Sequence, residues 1–214
     1  MSWRAAITRR MRGFADDDSG TTLVEFAIVF VIFLVLMFAL VDFGRLAYRF
    51  VVADKAMQIA SRVVTVRPAA CPGVPEIYSR GTSTVTPPYR FGTSCRADTG
   101  ICSNPGTISC TGDASNATAV EVWNRIQPLM PLDAGIENLQ FRYDFDENLG
   151  FLGGPYTPVV TVELQNLDFR FIHPLGSLIA LTGATSTFDD GLTIPFPTMS
   201  DSLPGEDLAL GTNG

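Results

Sequence analysis

The chain has 214 residues, 46% of them hydrophobic, which suffices for one domain, or two, with a real core. Its 22 acidic residues outweigh 15 basic ones and leave a net charge of −7. With no basic patch along it, a nucleic-acid partner is excluded.

Residues 1–20 are a short basic leader with Arg4, Arg9, Arg10 and Arg12, ending in Asp16-Asp17-Asp18-Ser19-Gly20. Gly20 interrupts a helix, and its bare backbone lets a protease approach an extended chain closely. The competing reading is a cytoplasmic tail that stays uncut. From Phe26 to Val41 the chain is apolar without a break. Counted from Thr21, that is about 21 residues or about 31 Å of helix, enough to cross the hydrocarbon core of a bilayer. No polar face exists beyond Glu25, so the run predicts a transmembrane helix over 21–41 rather than an interfacial one. No small-x-small cleavage site follows Val41, so the helix is expected to remain as an anchor. A charge inside a span costs on the order of 3 kcal/mol at its centre and less near an end, which makes Glu25 a functional candidate. Equally, Thr22-Leu23-Val24-Glu25 fits a capping box, in which Glu25 only satisfies a backbone N–H at the helix start.

The basic leader, Gly20 and a hydrophobic helix with a carboxylate five residues after the glycine resemble a prepilin signal of the type IV pilin superfamily. The resemblance implies that a prepilin peptidase cuts after Gly20, that Thr21 becomes the new N-terminus, and that Glu25 pairs with the freed amine of a neighbouring subunit. More narrowly, Gly20-Thr21-Thr22-Leu23-Val24-Glu25-Phe26-Ala27 followed by Val41-Asp42-Phe43-Gly44-Arg45 is similar to the TadE-like family of the Flp (Tad) pilus system. This implies a minor pilin, or pseudopilin, needed for pilus assembly, and no enzyme. Its implied partners are the prepilin peptidase, other pilins or pseudopilins, the assembly machinery and membrane lipid. The implied location is the bacterial inner membrane, with the N-terminus cytoplasmic and the C-terminal domain periplasmic or extracellular. The alternative is an uncleaved single-pass scaffold that binds secretion or envelope components through its exposed domain.

Beyond the span, residues 42–67 lack Pro, and past Gly44 they lack Gly too; Leu46, Phe50, Ala53, Met57, Ala60 and Val64 recur at spacings of four and three. This predicts an amphipathic extension of the same helix that buries one face, with a kink at Gly44 and an end at Pro68. Arg45, Arg49 and Lys55 nearly balance the leader's arginines, so the positive-inside rule alone does not orient the span.

Residues 68–199 are expected to form an extracytoplasmic domain, beginning with a loop region over 68–115 rich in Gly, Pro, Ser and Thr. Its four cysteines, Cys71, Cys95, Cys102 and Cys110, lack paired C-x-x-C spacing and any interspersed His, which argues against zinc. An even count reads as two disulfides in an oxidising compartment, with three pairings open, and favours an inside N-terminus. The expectation is irregular structure, with at most a hairpin, held by the bridges rather than by a core. Asn116 starts a helix over Ala117–Leu129. Ile136–Phe145 and Thr157–Phe171 alternate as strands, the second with a bulge near Asn166. Pro174–Leu181 reads as a short turn or loop, Ala184–Phe196 as a further strand, and 200–214 as a flexible tail.

No catalytic constellation emerges. Asp144-Phe145-Asp146-Glu147-Asn148-Leu149-Gly150 places oxygens at alternate positions like a calcium loop, but its Gly is one place late and no twelfth-position Glu follows. It reads as a solvated turn. His173 is a lone histidine. Neither metal nor cofactor is expected. The fold class is α+β: a long N-terminal membrane-spanning helix and a pilin-like domain with a small antiparallel sheet.

Overall fold

The computed structural model describes residues 20–170, 193–206 and 208. They fall into two compact units, one of residues 20–45 and one beginning at Leu46. Helix α1 (Thr21–Val64) begins the first and ends in the second, running through Gly44 without interruption.

The second unit is the head. Within it α1 buries Ala53, Ala56, Met57, Ala60 and Val64, the helical spacing expected of a one-sided stripe. Four antiparallel strands, β1 (Ile108–Thr111), β2 (Leu139–Asp144), β3 (Val159–Leu164) and β6 (Met199–Pro204), follow in the order β1-β2-β3-β6. Register places Phe141 beside Val162 and Tyr143 beside Val160, and all four side chains are fully buried. Each such burial contributes about 1.5–3 kcal/mol. The opposite face carries Ser109, Arg142, Ser200 and Ser202, all exposed, as alternation in a one-sided sheet requires. Asp201 of β6 hydrogen-bonds Ser61 of α1, and the Glu206 N–H reaches the Thr65 carbonyl at 2.9 Å. The strand thereby fastens the C-terminal end of the chain to the helix.

The exit from α1 is held from several sides. Arg67 makes a forked pair with Glu121 of helix α2 (Ala117–Ile126), at 2.8 and 3.1 Å, and Arg125 adds a third bond at 2.8 Å. These bonds hold the Glu121 carboxyl down at about 2. Thr118 donates to the Pro68 carbonyl at 2.7 Å, and the Ala70 N–H donates to the Tyr143 hydroxyl at 2.8 Å. Burial pushes that phenol up to about 12. Asn116 caps α2 as expected, accepting the Ala119 N–H at 2.9 Å.

The four cysteines form Cys71–Cys110 and Cys95–Cys102. The loop region differs from expectation in two ways. Residues 108–111 join the main sheet as β1, tied by Cys71–Cys110 to the segment just past α1. The region also has a core of its own: Tyr78, Ile101, Leu152 and Tyr156 are buried around Cys95–Cys102. The β2–β3 connection completes that core, with the Gly153 N–H donating to Tyr78 O and the Tyr78 N–H to Gly154 O. Gly150 has φ +82°, and a Cβ there would strike the Tyr78 ring, so the close approach needs glycine.

Two further expectations are corrected. The single strand over Thr157–Phe171 is two, β3 and β4 (Asp168–Arg170), because Asn166 takes a left-handed φ of 56° and ends the first. β4 pairs instead with β5 (Thr193–Pro195) in a separate two-stranded sheet. The flexible tail expected from Ser200 begins instead with β6, whose backbone pairs with β3 along six positions. Pro174–Leu181, His173 and most of Ala184–Phe196 lie outside the described residues.

Digestion without reduction should yield peptides joined as Cys71–Cys110 and Cys95–Cys102. Replacing the first pair with Ser should destabilise the head by about 1.5 kcal/mol more than replacing the second, since closure entropy grows with the 39- versus 7-residue separation. Denaturant titration in detergent measures both.

Glu121 sets an acid limit. Its folded value is depressed below 4.5, so its contribution is complete above 4.5 and is lost as the pH falls toward about 2. Glu121→Gln should flatten that part of the stability-versus-pH curve while lowering stability at neutral pH. An unchanged acid limb would show that the Arg67–Glu121–Arg125 cluster does not hold the helix exit.

Candidate functional site

The first part of α1 is the candidate site, because its chemistry differs from that of an ordinary protein helix. Leu23, Phe26, Val29, Ile32, Phe33, Leu36 and Leu40 are all more than half exposed. A protein in water cannot present so continuous an apolar surface without aggregating, whereas lipid solvates it. Among the described residues, α1 is one helix long and apolar enough to cross a membrane. Along its surface Phe26 and Phe30 stack at 5.7 Å, the separation expected of i, i+4 neighbours.

Gly20 precedes the helix, is exposed, and has nothing within 4 Å of where a Cβ would stand. Thr21 is the first helical residue, and Glu25 is exposed one turn later. A capping box needs Thr22 at the N-cap, just outside the helix. Thr22 instead lies inside α1, so the structure does not place Thr22 and Glu25 as that box.

At the other end of the apolar run, Asp42 is only 4% exposed and accepts a hydrogen bond from Arg45 at 3.0 Å. An aspartate at i and an arginine at i+3 lie on one helix face, so the helix itself brings them together. The Asp-Phe-Gly-Arg motif was legible as part of a pattern; that it places an ion pair with a buried carboxylate was not.

Residues 20–62 match the family described as TadE-like protein. Over that stretch the N-terminal helix is similar to this family. The TadE-like match spans Gly20, Glu25 and Asp42–Arg45, and it continues into the head-packed stripe as far as Ser61 and Arg62. No curated protein and no solved structure shows significant similarity to the chain.

The other candidates fall away on geometry. Asp146 accepts both the backbone N–H and the side-chain amide of Asn148, at 2.9 and 2.8 Å. Asp144 is taken by Arg142 at 3.0 Å and by the Thr107 hydroxyl at 2.7 Å. Those carboxylates are taken up by neighbouring groups of the turn and the adjoining strand. Among the described residues no three His, Cys, Asp or Glu side chains gather as a metal site. All four cysteines, by contrast, are spoken for by the head's stability.

Proposed function

We propose that this protein is a minor pilin, or pseudopilin, required for assembly of a Flp/Tad-type pilus. One observation carries the reading: the TadE-like match over residues 20–62 coincides with an apolar helix whose far end builds an α+β head. In this reading α1 is anchored in the inner membrane with the leader in the cytoplasm, and the head lies in the periplasm or outside the cell. Two disulfides in the head are consistent with that oxidising side.

Processing follows from the same reading. A prepilin peptidase cuts after Gly20, freeing the amine of Thr21, and Glu25 pairs with that amine on a neighbouring subunit. Near the membrane such a pair is poorly screened, so its charge matters more than it would in water.

A minor role fits the size of the head. Major pilins of Tad-type pili are very short and mostly helix, which lets neighbouring helices pack closely. A head of the size seen here, repeated at every subunit, would demand lateral space and dilute those contacts. A few copies at a tip or an initiation complex avoid the conflict.

Mass analysis of the protein extracted from membranes should find Thr21 at the N-terminus, and Gly20→Trp should leave the leader attached. Glu25→Gln should insert and be processed normally yet fail to support piliation. Intact leader on the wild-type protein from cells with an active peptidase would favour the uncleaved scaffold instead. Sheared fibres in which this chain is the most abundant would overturn the minor assignment.

A further inference from the structure

We propose that the head binds a small zwitterion, an amino acid or short peptide with both a free amine and a free carboxylate, in a cavity beside the Cys95–Cys102 bridge. The cavity measures about 410 Å³ and is walled by residues 80–82, Cys95, 99–100, 102–104 and the start of the β2–β3 connection. That is within the range of about 300–1,000 Å³ typical of small-molecule sites. Arg80 and Glu147 both line it, and among the described residues neither takes part in an ion pair.

Opposite charges that line one cavity attract each other unless something holds them apart. Here Arg80 is held elsewhere: its Nη1 donates to the Tyr89 carbonyl at 2.7 Å, and its guanidinium lies 5.1 Å from the centre of the Phe91 ring. That leaves its Nε and Nη2 donors for a planar acceptor such as a carboxylate. The nearby Asp98 does not compete, because it accepts from the Tyr89 hydroxyl at 2.6 Å and the Thr99 N–H at 2.8 Å. Glu147 sits in the turn whose other acid, Asp146, is already consumed by Asn148. Glu147 is therefore the carboxylate left to receive an ammonium.

The segment that carries Arg80 is held by backbone bonds. Gly81 N–H donates to Ile101 O and Ser83 N–H to Gly100 O, both at 2.9 Å, and Ser103 N–H donates to Ser79 O at 2.8 Å. A plain anion would leave Glu147 uncompensated and be repelled by it; a plain cation would meet the same obstacle at Arg80. A ligand carrying both charges satisfies both, while Phe145 offers it an apolar surface.

The test is isothermal titration of the full-length protein in detergent with four probes: L-alanine, L-alanyl-L-alanine, N-acetyl-L-alanine and L-alaninamide. At least one of the first two should bind, and each blocked probe should bind at least tenfold more weakly. Whether alanine or its dipeptide binds more tightly distinguishes a free amino acid from a peptide, and either supports the site. Arg80→Ala and Glu147→Gln should each weaken binding at least tenfold. Both residues are exposed, so circular dichroism should be unchanged in the variants. No saturable binding at millimolar ligand, equal binding of the blocked probes, or unaltered affinity in either variant would overturn the proposal.

Discussion

A helix can cross a membrane because every backbone N–H and C=O in its interior is satisfied within the segment, leaving only side chains to answer to the solvent. α1 keeps that internal pattern of backbone bonds from Thr21 to Val64. Its first part presents apolar side chains on all sides; its last part presents them on one side only. Much of the head depends on that last part, because the stripe from Ala53 to Val64 is one wall of its core.

The head is assembled from segments distant in sequence that converge on the end of α1. Arg67 pairs with Glu121, Ala70 bonds Tyr143, Cys71 is bridged to Cys110, and β6 returns from the C-terminal end to meet Ser61. Each contact spans tens of residues, so each constrains a large loop, and closing such loops costs entropy before burial rewards it. The two disulfides remove part of that cost from the unfolded chain. This accounts for a chain that commits all four cysteines to the segment between the helix and α2. That segment is poor in long apolar runs, and its small core around Tyr78 needs residues lent by the β2–β3 connection.

The long apolar helix, the amphipathic stripe and the core alternation of β2 were legible in the sequence because each repeats a pattern over several residues. The α2 start was legible for a different reason, since a single Asn can cap a helix by bonding the N–H three residues on. What could not be read was set by partners far along the chain. β1 has only four residues, Ile108–Thr111, and gains strand character by pairing with β2. β6 is Met-Ser-Asp-Ser-Leu-Pro, polar enough to read as a tail, yet an edge strand with one exposed face tolerates that composition. The change of parity near Asn166 reads as a bulge in the sequence; only the left-handed backbone shows that the strand ends there. At the candidate site, Gly20 and Glu25 stood out as local exceptions to their surroundings. The cavity beside Cys95–Cys102 did not, because Arg80 and Glu147 are 67 positions apart in a sequence where both read as ordinary surface charges.

The TadE-like match stops at residue 62, although α1 continues to Val64 and the head occupies most of the remaining chain. Physics offers a reason for that boundary. A helix in lipid that must also meet other helices is constrained on every side, by hydropathy, by length and by the few polar groups it can carry. A head must only bury one helix stripe and close its own sheet, and many sequences of suitable volume and pattern do that. The helix is therefore where a recognisable sequence is easiest to retain, and the head is freer to vary. Arg80 and Glu147 lie on that freer side, beyond the reach of the match.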